Sequence, residues 1–273
     1  MDNTSSPTVK QLVTIAGHRL ECVWVGPSPS AAPTLVFLHE GLGSVSLWRD
    51  FPEALCRQTG CGGLVYSRWG HGSSDGLDRS RSVRFMHDEA LIVLPQVLAA
   101  FEIQRPMLVG HSDGGSIALI YTGSGLGTAR ALILEAPHVF VEDLTVTSIA
   151  QLRARYETTD VRARFARHHG SNVDSLFRDW TDLWLSPEFR AWDIQEYLST
   201  IRVPTLLIQG LQDEYGTRKQ IDTIAAAMAG HAEALVLDQC GHTPHVDQRV
   251  TVEAAMADFI NRHAPPPGAP NRL

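Results

Sequence analysis

The sequence predicts an α/β fold: a mostly parallel eight-stranded sheet with helices on both faces. Three observations carry that prediction. Short, continuously apolar runs alternate with segments of helical periodicity, the pattern of strands buried on both faces by crossover helices. One run, Met107-Leu-Val109, leads straight into Gly110-His111-Ser112-Asp113-Gly114 and then into small residues suited to a helix. Other strand ends run into loops rich in glycine, acid and histidine, and such loops carry the chemistry of doubly wound sheets.

Taken in order, Leu12–Ile15 and Leu20–Val25 read as two strands joined at Ala16-Gly17-His18, a hairpin. Thr34–Leu38 is wholly apolar after its first residue and reads as a buried strand. Leu47–Thr59 reads as a helix and Gly63–Tyr66 as a short strand. Between Glu89 and Phe101, apolar residues recur at helical spacing (Leu91, Val93, Leu94, Val97, Leu98, Phe101), with a kink expected at Pro95. Met107–Val109 and Ala131–Leu134 add two strands, with a helix after Ser112 between them. From Pro137 to Thr200 the strand rhythm stops and Arg, Asp and aromatic residues dominate. It resumes at Pro204–Gln209 and Ala234–Leu237. The expected organisation is therefore a core domain, residues 1–136 and 201–263, with a helical insertion at 137–200 after the sixth strand. A disordered tail is expected at 264–273, because its prolines cannot continue a helix.

Composition narrows the class. A chain of 273 residues with 44% hydrophobic and 19% charged residues is that of a soluble globular protein with a substantial core. A net charge of −7 offers no basic stripe for nucleic acid or anionic membrane. No apolar run approaches the about 18 residues needed to span a bilayer, and the first ten residues lack a secretion-signal layout. Four cysteines (Cys22, Cys56, Cys61, Cys240) are too few and scattered for a disulfide framework. Even the neighbouring Cys56 and Cys61 read as free thiols. These features place the protein in the cytoplasm, with a small-molecule substrate and, at most, a second copy of itself in a homodimer as partners. No cofactor is expected, and no two-His-plus-carboxylate spacing suggests a metal.

The chemistry is expected at Ser112. The G-x-S-x-G pattern between strand and helix holds a serine hydroxyl clear of the backbone in a tight turn, and small flanking residues let strand and helix approach. Such a serine needs a base and a carboxylate to orient it. Three loops can supply them or their accessories: His39-Glu40-Gly41-Leu42-Gly43-Ser44, Gln209-Gly-Leu-Gln-Asp213-Glu-Tyr-Gly216, and Asp238-Gln-Cys-Gly-His242-Thr-Pro244.

The order Ser112, Asp213, His242 resembles the α/β-hydrolase fold family, in particular its capped serine hydrolases, over residues 12 to 263. That resemblance implies Ser112 as nucleophile, His242 as base and Asp213 as the orienting acid. Glu135 stands at the family's alternative acid position, His245 is a rival base, and Glu214 is expected to point away from the site. It makes residues 137–200 a cap and Tyr66–Asp75 the turn packed beneath the oxyanion loop. It implies oxyanion donors at the amides of Asp113 and Gly41, with Leu42 the alternative to Gly41. The family usually carries His-Gly where this chain has His39-Glu40, which shifts the expected register. Of six tryptophans, Trp180 and Trp184 lie four apart in the insertion. With Leu42, they are the expected lining of a substrate pocket. The remaining histidines, among them His71, His87, His138, His168 and His169, are expected to be structural or at the surface. Arg153, Arg155, Arg162, Arg164 and Arg167 are expected on a solvated helical face.

Ser112-Asp-Gly-Gly115 is also similar to the elbow of the valacyclovirase (biphenyl hydrolase-like) branch, where Asp113 would be a counter-ion for a substrate ammonium. The alternative is that Asp113 only favours the positive end of its helix. The function implied is hydrolysis of a small, largely apolar carboxylic ester through an acyl-enzyme. The alternatives are carbon–carbon bond hydrolysis of an aromatic ring-fission product, as in meta-cleavage-product hydrolases, and a slow-turnover ligand receptor.

Overall fold

A computed structural model describes residues 9–228 and 230–264; the expectation for the C-terminal tail lies, save Ala264, outside them. Eight strands form one sheet in the order β1-β2-β4-β3-β5-β6-β7-β8. They are β1 (Val9–Ile15), β2 (His18–Val25), β3 (Thr34–Leu38), β4 (Gly62–Tyr66), β5 (Met107–His111), β6 (Ala131–Glu135), β7 (Thr205–Gly210) and β8 (Ala232–Leu237). β1 and β2 are a hairpin and β2 meets β4 antiparallel. From β4 through β3, β5, β6 and β7 to β8 every pairing is parallel.

Alternate residues of the central strands feed two separate cores. Leu35, Phe37, Val109, Ile133 and Ile208 face one layer, where helices α1 (Phe51–Thr59) and α10 (Arg249–His263) pack. Val36, Leu38, Leu108, Leu132, Leu134 and Leu207 face the other. There lie α3 (Leu94–Ala100), α4 (Asp113–Gly123) and α8 (Lys219–Ala227), after a short helix α2 (Phe85–Asp88). A strand with apolar side chains on both faces cannot sit at a solvent boundary, which is why these runs read as uninterrupted hydrophobic stretches.

Two helices depart from the sequence expectation, each because of a proline. The stretch from Leu47 splits into a 3-10 turn, Val45–Trp48, and α1, which begins only at Phe51. Pro52 has no N–H to give to Trp48, so one continuous helix cannot form, but proline suits a first turn. The expected kink at Pro95 is a widened π turn over Glu89–Val93 running into α3; Pro95 cannot donate to Leu91, and the turn opens around the missing bond.

Between β6 and β7 lie α5 (Asp143–Tyr156), α6 (Val161–His169) and α7 (Val173–Trp184). They cover the carboxyl end of the sheet and share its second core through Ile149, Val173, Leu176, Phe177 and Trp184. Arg162 pairs with Asp174 and Arg153 with Asp182 on the solvent side. α7 is also tied to the chain after β4 by Arg81–Asp179, a 2.6 Å pair in which both side chains are under 10% exposed. α9 (Pro244–Asp247) completes the loop after β8. Cys22, Cys56, Cys61 and Cys240 are all free and buried, and no helix among the described residues is long and apolar enough to cross a membrane.

Removing one partner of a buried ion pair leaves the other charge stranded, at a cost of about 3–5 kcal/mol. Asp179→Ala is therefore expected to lower the urea midpoint by that equivalent. A change below about 1 kcal/mol, typical of a surface pair, would contradict the anchoring role.

Candidate active site

Every loop of interest leaves the carboxyl end of a parallel strand, so the fold gathers them at one edge. Ser112 follows β5 with φ +53°, a left-handed conformation unfavourable for a residue with a side chain. It is held there by its N–H to Glu135 O (2.9 Å) and by its carbonyl, which accepts from Gly115 and Ser116. The flanking glycines are steric necessities. A Cβ on Gly114 would sit 2.0 Å from Leu38 O, and one on Gly110 would sit 2.6 Å from Gly114 O.

Ser112, His242 and Asp213 are brought together. Ser112 Oγ lies 2.9 Å from His242 Nε2, and His242 Nδ1 lies 2.9 Å from both oxygens of Asp213. A carboxylate only accepts, so Nδ1 carries the hydrogen and Nε2 offers its lone pair to the serine hydroxyl. Asp213 is fixed by further donors: Gln209 Nε2 (2.7 Å), Tyr215 N (2.7 Å) and Gly216 N (3.1 Å). Burial works against its charge, but His242 and the Tyr215 amide outweigh it and hold the carboxyl at about 2. A hydroxyl facing an imidazole that is itself oriented by an ionised acid can act as a nucleophile.

The rivals are engaged elsewhere. Glu135 and His245 bond to each other, Oε2 to Nδ1 at 2.7 Å, beneath the site and against Trp48 and Phe51. Glu214 does not point away as expected. Its Oε2 accepts from the His242 amide at 3.3 Å and it lines the pocket, because the tight turn around Asp213 brings the next side chain to the same rim. His138, expected to be structural or at the surface, instead forms the pocket wall, 5.7 Å from the His242 ring and edge-on to Trp184. Burial and His242 push it down to about 4, so it is neutral.

The loop after β3 is held by its carbonyls. Glu40 O accepts from Arg68 Nη2, His39 Nδ1 and Gly43 N. Gly41 O meets His71 Nε2 at 3.0 Å, and Leu42 O accepts from His169 Nε2 at 2.9 Å. His169 Nδ1 takes the Gly72 amide, which fixes its tautomer. No peptide here is cis, and a trans peptide carries its C=O and N–H on opposite edges. The amides of Gly41 and Leu42 thus face away from these anchors. The contacts of Arg68 and His71 show why the turn from Tyr66 to Asp75 belongs beneath this loop.

A pocket of about 180 Å³ opens onto Ser112 and is lined by Gly41, Leu42, Asp113, Trp180 and Trp184 among others. Gly41 has no room for a Cβ, which would stand 2.2 Å from Trp180 Nε1 and 3.0 Å from Asp113 Oδ2. Asp113 is 1% exposed; the Trp180 indole N–H stands near enough to favour its charge but outside hydrogen-bond geometry, so neither it nor Asp113 Oδ2 has a formed hydrogen bond. Burial raises its carboxyl above the ordinary range, against the pull of Arg68 and Arg81. Three carboxylates (Glu40, Asp113, Glu214) line the pocket, and none of its lining residues is Lys or Arg. A larger cavity, about 340 Å³, lies around Trp69, Phe85 and Glu89 and is lined by none of Ser112, Asp213 and His242. Among the described residues no His, Cys, Asp and Glu cluster could hold a metal.

A model of the alpha/beta hydrolase family matches residues 35–255. The 2-succinyl-6-hydroxy-2,4-cyclohexadiene-1-carboxylate synthase of Salmonella paratyphi C (strain RKS4594) is 29% identical over 156 residues, 56% of this chain and 55% of that protein. The match thus spans only about half the length of this curated relative. Among solved structures, the 2-hydroxy-6-oxo-6-phenylhexa-2,4-dienoate hydrolase of Rhodococcus sp. strain RHA1 superposes with TM-score 0.77 at 15% identity, covering 93% of this chain and 99% of the other. An enol-lactonase from Burkholderia xenovorans LB400 gives 0.73 at 18%, covering 92% and 99%. A meta-cleavage product hydrolase from Pseudomonas fluorescens IP01 gives 0.75 at 18%, covering 92% and 97%. At these identities the structures establish the shared fold.

Because the elbow leaves no space at Gly114, Gly114→Ala is expected to destabilise the protein by about 1–3 kcal/mol, the usual cost of overpacking. It is also expected to slow labelling of Ser112 by a fluorophosphonate. Urea unfolding with mass spectrometry of the labelled protein checks both, and an unchanged midpoint with unchanged labelling would refute the steric account.

Proposed function

The chain belongs to the alpha/beta hydrolase family, and within it we propose that it hydrolyses small, uncharged or cationic carboxylic esters through an acyl-enzyme on Ser112. The observation that carries this reading is the 2.9 Å approach of Ser112 Oγ to an imidazole whose tautomer is fixed by Asp213, at the floor of a small pocket. His242 takes the hydroxyl proton as Oγ attacks the carbonyl, then gives it to the departing alcohol. Water, deprotonated by the same nitrogen, releases the acid. The oxyanion is assigned to the Asp113 amide at the first turn of α4 and to the Gly41 amide, with Leu42 beside it. Residues 137–200 act as the cap that closes the pocket.

The acid-lined wall separates this reading from the activities of the relatives. Their names describe carboxylate-bearing compounds, a ring-fission dienoate and a cyclohexadiene carboxylate. An anion of that kind would meet Glu40, Asp113 and Glu214 with no Lys or Arg in the lining to receive it, and the lining imidazole of His111 already faces Glu40. Shape and charge favour instead a small ester whose apolar part packs on Trp180 and Trp184. The buried, unpartnered Asp113 Oδ2 supports a substrate ammonium as its counter-ion. Buried free thiols fit a reducing cytoplasm.

Ser112→Ala is expected to lower turnover of short p-nitrophenyl esters by about 10⁴-fold or more, and a mass spectrum of the trapped wild type should show the acyl group on Ser112. Failure to turn over any short ester, thioester or lactone would overturn the proposal. Saturable turnover of a ring-fission dienoate would favour the carbon–carbon hydrolase, and ligand-raised melting without consumption would favour the receptor. For specificity, Asp113→Asn is expected to cut kcat/KM for an amino-acid ester, relative to its uncharged analogue, by about 10–100-fold, the worth of one buried charge-assisted contact. Equal losses on the two substrates would leave Asp113 a helix-end residue only.

A further inference from the structure

Behind Ser112 lies a charge pair that ester hydrolysis itself does not call upon. His111, the last residue of β5, is 1% exposed. Its Nε2 stands 2.7 Å from the main-chain oxygen of His242. A carbonyl can only accept, so Nε2 carries a hydrogen. The other nitrogen, Nδ1, faces Glu40 Oε2 at 3.5 Å. A neutral ring protonated at Nε2 would turn a lone pair toward that carboxylate. The arrangement is attractive only when both nitrogens are protonated.

Glu40 stands where capped hydrolases usually carry glycine, which could supply no charge. Its carboxylate is folded back over the loop, so that a Cβ on Gly43 would lie 2.3 Å from Oε2. We propose that Glu40 and His111 are positioning residues, an ion pair that clamps the His242 loop to the serine turn and to the loop after β3. The clamp joins the three segments whose relative placement sets the Ser112–His242 distance. The inference rests on the reading of His242 as the base.

The groups facing His111 come from several elements. Glu40 comes from the loop after β3, and Glu135, paired with His245, from β6. The His242 and His245 rings lie 5.2 and 5.3 Å away, with His138 beyond His242. Burial opposes the charged imidazole, yet Glu40, Glu135 and the His242 carbonyl outweigh it and raise the group to about 9. Glu40, in turn, is drawn down to about 2 by His111 in spite of burial. The clamp's stabilisation is therefore complete between the unfolded carboxyl and histidine values, about 4.5 and 6.5; it is lost as pH rises through about 9 and again as pH falls through about 2.

The test follows the imidazole ¹⁵N signals of His111 and the pH profile of kcat on a short p-nitrophenyl ester, in wild type, Glu40→Gln and His111→Gln. In the wild type both ring nitrogens should be protonated at pH 7, with one proton lost near pH 9 and kcat falling along the same limb. Glu40→Gln should move that limb down by at least one pH unit and reduce kcat roughly tenfold with KM little changed, as a misplaced base would. His111→Gln keeps an N–H for the His242 carbonyl but no charge, and should abolish the limb while the protein still folds. A neutral His111 at pH 7 in the wild type would overturn the clamp. So would a Glu40→Gln protein that melts lower but keeps the wild-type kcat and profile. The ¹⁵N titration decides the clamp even if no ester is turned over, so its failure is distinct from failure of the proposed function.

Discussion

The whole site hangs on one strained turn. Ser112 holds a left-handed backbone because Gly110 and Gly114 let β5 and α4 pass within contact distance of each other and of the β3 end. That closeness sets the serine above the sheet edge, where the loops after β7 and β8 can reach it. It also points the first turn of α4 toward the same spot, so a favourable dipole and free amides arrive with the hydroxyl. Relaxing the turn to an ordinary right-handed geometry would redirect the side chain, and the imidazole would then face nothing.

Much of this was legible in the sequence because its signals are local. A strand, a G-x-S-x-G turn and a helix in succession identify Ser112, and the strand runs are apolar because both faces are buried. Asp213 and His242 stood out because strand-end loops are short and chemically distinctive, and the structure brings both beside Ser112. What escaped the sequence depends on contacts between segments far apart in the chain. Nothing near Glu214 tells that its turn brings it to the rim, and nothing near His138 tells that it stands against His242 and Trp184. Gln209 as a third brace on Asp213 was equally hidden. A glutamate in place of glycine at position 40 was visible as an anomaly, but its partner His111 lies far along the chain, at the end of the neighbouring strand β5.

The pocket's electrostatics set it apart from what the relatives' names would suggest. In this chain a hydroxyl, an imidazole and an acid stand together at the carboxyl edge of the sheet, and the solved structures share the fold that forms that edge. The side chains above them are free to vary, and here they are acidic and aromatic rather than basic. Fold similarity at below 20% identity therefore fixes the frame and leaves the chemistry to be read from this chain's own side chains.

The helices over the pocket are more than a cover. His169 of α6 grips the Leu42 carbonyl, and Asn172 holds the Gly72 and Ser74 carbonyls below it. The helical insertion thus also sets the backbone geometry of the loop beside Ser112. Grafting a foreign module here would trade selectivity against reaction rate, unless the donor brings its own imidazole and amide to the same two anchoring points.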